Sequence, residues 1–115
     1  MVIENLTKNT KELFAMQHYF EFSENEYYGL VAVYVDKNDL KTKPYKKATE
    51  IYVRNIGGES VEVVLEEASP IHVTKEYAFM KFMYAPNTLE VSTGDLIKEF
   101  ENTKDGVLLV DGSLI

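Results

Sequence analysis

Cysteine and tryptophan are missing from this 115-residue chain, arginine occurs once and histidine twice. Without cysteine there is no disulfide framework, thiolate nucleophile, iron–sulfur cluster or cysteine-bound zinc. No apolar run approaches the roughly 20 residues that a bilayer-crossing helix needs. The opening residues, MVIENLTKNTKE, lack the basic start and apolar stretch of a secretion signal. These absences lead to the expectation of a soluble cytoplasmic protein without membrane contact. The remainder is ordinary for a globular protein, with 45% apolar, 12% aromatic and 27% charged residues, too hydrophobic for a disordered chain. One domain over residues 1–115 is expected, burying roughly two thirds of its unfolded surface.

Positive charge is also scarce, with 12 basic against 19 acidic residues and a net charge of −7. Residues 36–47 (DKNDLKTKPYKK) carry five Lys and two Asp, a local +3 that leaves −10 for the rest. An acidic body disfavours nonspecific nucleic-acid binding, which needs several cations to release counterions. The Lys-rich stretch reads as a loop between strands. Lys43, Lys46 and Lys47 around Tyr45 are its candidate phosphate- or strand-binding residues, although lysines in a connection also serve simply to keep it solvated.

Period-two patterning dominates the hydrophobic residues. Phe14, Met16, His18, Phe20 and Phe22 alternate with Ala15, Gln17, Tyr19 and Glu21, as in a half-buried strand. Residues 27–36 (YYGLVAVYVD) are apolar on both faces, as in a central strand. A four-residue turn between them predicts a hairpin with Phe22 opposite Tyr27 and Phe20 opposite Gly29. A second hairpin is expected from residues 49–55 and 59–66, with Val53 opposite Val61, Arg54 diagonal to Glu62, and Gly58 at positive φ. Residues 71–85 suit either a helix or a long strand; continuation of a meander favours the strand, ended by Pro86. Ser92-Thr93-Gly94-Asp95 has the form of a capping box and predicts a helix from about Thr93 to Asn102, with Leu96, Ile97 and Phe100 as its apolar stripe. A short strand over 107–110 and a turn at Asp111-Gly112 follow. The first dozen residues suggest a brief helical turn. The resulting expectation is an α+β protein, mainly antiparallel β: a curled, barrel-like meander of five to six strands with one C-terminal helix.

Chemistry-bearing motifs are few. His18 lies between core-facing residues, and His72 follows Ser69 by three positions without a nucleophile-presenting turn. The two histidines are far apart in sequence and match no zinc spacing. Asp105-Gly106 and Asp111-Gly112 lack the other ligands of a calcium loop, and Gly57-Gly58 has no following Lys-Ser/Thr. No metal or other cofactor is implied. Tyrosine stands out instead, with eight residues, a type enriched at interfaces. Tyr19, Tyr28 and Tyr34 are expected on one sheet face, which a single short helix would leave partly open. The resulting functional expectation is a non-enzymatic interaction or accessory module, of the composition common among small proteins of bacteria and their phages. It would bind a protein partner or a second copy through a sheet edge or aromatic face. An apolar small-molecule pocket near His18 is the alternative, and an enzyme using His18 or His72 the second.

Overall fold

The computed structural model describes residues 16–36, 38–39, 41–85 and 92–110. Four strands and four helices follow in the order β1 (Met16–Phe22), β2 (Gly29–Val35), α1 (Pro44–Asn55), α2 (Val61–Glu67), β3 (Ile71–Val73), α3 (Lys75–Met83), α4 (Thr93–Asn102) and β4 (Gly106–Val110). The sheet is open, ordered β3-β1-β2-β4, and every neighbouring pair is antiparallel. The expected barrel-like meander is therefore replaced by a four-stranded sheet between two helical layers.

The first hairpin forms, but its register moves by two residues: Phe22 pairs Gly29, Phe20 pairs Val31 and His18 pairs Val33. Tyr52 causes the shift. Its hydroxyl donates to the Tyr27 carbonyl at 2.6 Å and accepts from the Tyr27 amide at 3.2 Å, so Tyr27 is held by a side chain instead of the ladder. Because the side-chain period of a strand is two, a two-residue shift leaves every side chain on its expected face. Gly29 allows a close approach here: a Cβ would lie 2.5 Å from the tip of the Ile56 side chain and 3.3 Å from the Tyr52 ring, so a larger residue would make both shift. Asn25 ties down the same loop by donating to the carbonyls of Val64 at 3.0 Å and Ala68 at 3.3 Å, at the end of α2.

The expected second hairpin is a helical pair. Residues 49–55 belong to α1, whose N1 position is Pro44 and whose buried residues Ala48, Thr49, Ile51 and Tyr52 recur at helical spacing. Residues 61–67 form α2, started by Ser60, whose hydroxyl accepts from the Val63 amide at 3.2 Å. Gly58 does take a positive φ of 105°, but it links two helices. The Arg54–Glu62 cross-strand pairing falls with the hairpin.

The long strand expected over residues 71–85 is also divided. Only Ile71–Val73 is extended, and Thr74 then caps α3 by accepting from the Tyr77 amide at 3.1 Å. The Lys-rich stretch is only partly a loop, since Tyr45, Lys46 and Lys47 lie in the first turn of α1. α4 spans the expected Thr93–Asn102, with Ser92 as its cap and Leu96 and Phe100 buried; Ile97 is 40% exposed. β4 closes the chain's order at the expected place. Phe14, Pro86, the Asp111-Gly112 turn and the N-terminal helical turn lie outside the described residues.

Two cores flank the sheet. Phe20, Phe22, Val31, Val33 and Val35 pack beneath Ala48, Ile51 and Tyr52 of α1 and Val64 of α2. On the other face, Tyr19, Leu30, Ala32 and Leu108 pack against Ala78 and Phe82 of α3 and Leu96 and Phe100 of α4. The additional helices thus cover both faces that one helix would have left open.

Candidate functional site

The tyrosines expected as an exposed sheet face are absorbed into the fold. Tyr19 is buried and stacks on Phe100 with ring centroids 5.3 Å apart. Burial raises its pKa, with the Glu101 charge adding to the effect. Tyr28 is half-buried and packs beside the second core. Tyr34 is half-buried, its backbone held between α1 and the start of β4. Its carbonyl accepts from Lys47 Nζ at 2.6 Å and its amide donates to Asp105 Oδ1 at 2.8 Å. Lys47 also pairs with Asp105 at 3.1 Å. It therefore fastens α1 to the sheet end, whereas Lys43 and Lys46 remain exposed.

A buried polar cluster lies beneath α3. Glu21, 7% exposed, accepts from the Tyr28 hydroxyl at 2.7 Å and from the Tyr77 hydroxyl at 2.9 and 3.0 Å, with Lys81 Nζ 3.9 Å away. Lys81 lies 5.9 Å over the Tyr28 ring and 5.7 Å over the Tyr77 ring. Burial, the bond to Glu21 and that carboxylate's charge all push the two phenols up in pKa. The arrangement satisfies a carboxylate that would be costly to bury alone and fastens α3 to β1. Its sequence signal was a glutamate beside Tyr19 on a face that must be covered.

The histidines, 54 positions apart, meet. β3 pairs β1 so that His72 is opposite Phe20, with His18 two residues further along β1. His18 Nδ1 and His72 Nε2 are 3.2 Å apart, and the His72 ring stacks on Phe20 with centroids at 4.9 Å. Among the described residues, each imidazole's hydrogen-bonding partner is the other imidazole, and neither reaches a carboxylate or hydroxyl. Phe20 and Val33, which would have lined a pocket beside His18, are packed in the first core. An open groove of about 810 Å³ lies instead on the opposite layer, lined by Lys75, Glu76, Phe79, Met80, Tyr84 and Thr93.

The sheet's two edges differ. β3 is three residues long and passes directly into α3. β4 presents five residues, Gly-Val-Leu-Leu-Val, with neither charge nor proline. Leu108 is an extra residue there, since Leu109 pairs Leu30 and Val107 pairs Val31. No helix among the described residues is long and apolar enough to cross a membrane, and no group of three or more His, Asp or Glu there converges on a metal position.

A family profile described as the YosH C-terminal domain matches residues 17–109. No curated protein and no solved structure matches the chain.

Proposed function

We propose that this chain, which belongs to the YosH C-terminal domain family, is a non-enzymatic protein-interaction module that takes an extended segment of a partner onto the outer edge of β4, the last strand of the sheet among the described residues. The family description states no activity, so the reading rests on the molecule itself. One observation carries it: β4 ends the sheet with five consecutive uncharged residues and no proline. Sheet edges are ordinarily blunted by charge, proline or short length. β3, at three residues, has the last of these devices; β4 has none of the three over its five residues, although it carries a bulge at Leu108. Main-chain bonds along such an edge supply affinity, and alternate side chains of the incoming strand supply selectivity.

Charge selects the kind of partner. At a net −7, two copies repel, whereas a basic segment is drawn in and associates faster. Both faces of the sheet already carry helices, which leaves strand addition as the sheet's means of contact.

The test is amide NMR of the labelled protein titrated with an eight-residue peptide of alternating valine and lysine. Shifts and slowed hydrogen exchange are expected at residues 106–110, with affinity reduced about tenfold by Val110→Lys, a charge of the kind that protects natural edges. A peptide of equal charge with alternate prolines should leave those signals unmoved. Perturbation scattered over acidic surface residues, or equal binding of both peptides, would overturn the reading. Shifts that depend on protein concentration without peptide would assign the edge to a second copy instead.

A further inference from the structure

We infer that His18 and His72 form a two-histidine site for a first-row divalent transition cation, such as Zn²⁺ or Cu²⁺, at the β1–β3 edge. The site depends on topology. β3 is brought beside β1 in the register Phe20–His72, which places His18 diagonally across from His72 on the same sheet face. Diagonal neighbours on paired strands lie within reach of long and aromatic side chains.

The spacing fits a shared ion. Two imidazole nitrogens bound at about 2.0–2.1 Å to one tetrahedral ion lie about 3.3–3.4 Å apart, and about 2.9 Å apart at a right angle. His18 Nδ1 and His72 Nε2 are 3.2 Å apart, between these limits. The ring centroids are 5.2 Å apart with the planes tilted by 44°, and an ion at these bond lengths from both nitrogens lies to one side of the line between them, so both rings turn toward that side when it binds. Metal binding would replace the hydrogen bond between the rings and leave the proton on Nε2 of His18 and on Nδ1 of His72.

The site is reached from solvent, since His72 is exposed and His18 half-buried. Imidazole favours zinc, copper and nickel over magnesium or calcium. No third His, Asp or Glu joins the pair among the described residues.

The chain has only two histidines, which makes the test specific. Addition of one equivalent of Cu²⁺ should give an electron paramagnetic resonance spectrum with two coupled imidazole nitrogens per copper. His18→Asn and His72→Asn should each show one and bind at least about tenfold more weakly. In the unaltered protein, substoichiometric Zn²⁺ should perturb the ring resonances of both histidines together, a result independent of variant folding. One imidazole per copper in the unaltered protein, an affinity in either variant equal to that of the unaltered protein, or separate responses of the two rings to Zn²⁺ would overturn the site.

Discussion

A carboxylate removed from water costs several kcal/mol unless donors meet its lone pairs. Glu21 is met by Tyr28 from the β1–β2 loop and by Tyr77 from α3, with Lys81 nearby. The phenols can fill that role only while protonated, and their raised pKa values express this dependence. The sign follows directly. Above the ordinary tyrosine value of about 10, the unfolded chain releases phenolic protons that the folded protein retains, so stability falls as pH rises. Thermal midpoints should therefore decline between about pH 9 and pH 11. A Tyr28→Phe/Tyr77→Phe protein should show a shallower decline, although Tyr19 and Tyr52, also raised, preserve part of it. Near neutrality, Tyr77→Phe alone should cost about 1.5–3 kcal/mol, the value of a hydrogen bond to a charged acceptor. An alkaline profile unchanged by the double substitution would remove Glu21 from this role.

At the scale of the element, three helices begin with the same device. Ser60, Thr74 and Ser92 each accept a bond from the amide three residues onward. Replacement of Thr74 by Ala should lower the free energy of unfolding by about 0.5–2 kcal/mol, while Thr74→Ser should preserve most of it. Urea unfolding checks both, with an unchanged slope showing that stability alone has moved. A loss of only a few tenths for Thr74→Ala would mean that packing, not the cap, sets the start of α3.

The same three caps explain what was legible in the sequence. Ser92 has Asp95 at the third following position, so the box stands out and α4 is read with its observed ends. Ser60 and Thr74 have Val63 and Tyr77 there, which hides the cap in runs rich in β-branched and aromatic residues. In ESVEVVLE, strand propensity points one way, and packing of Val64 beneath the sheet decides the other. The β1–β2 hairpin was legible because its pairing is local; its loop length was not, because Tyr52 acts from another element. The histidine pair and the Glu21 cluster depend on which strand lies beside β1 and which helix crosses Glu21. Neither relation is written in local spacing.

At the scale of the whole molecule, β2 belongs to both cores. Leu30 and Ala32 face α3 and α4, while Val31 and Val33 face α1 and α2, and all four side chains are fully buried. A side chain lost from either layer should therefore weaken the entire protein. Phe100 contacts Tyr19, Phe79 and Phe82, and Phe100→Ala should cost about 3–5 kcal/mol, a large share of the roughly 5–15 kcal/mol typical of a domain. Val33→Ala, on the opposite face, removes two methyl groups and should cost about 1–3 kcal/mol. If the shared strand couples the layers, each variant should unfold in one transition, with far-ultraviolet and near-ultraviolet circular dichroism coincident. Hydrogen exchange should then lose protection on both helical layers whichever face was altered. If protection falls only in the altered layer, the strand separates two independently opening units, and a partner added at β4 would stabilise them unequally. Both substitutions leave the β4 backbone in place, so strand addition should survive each wherever the variant is folded.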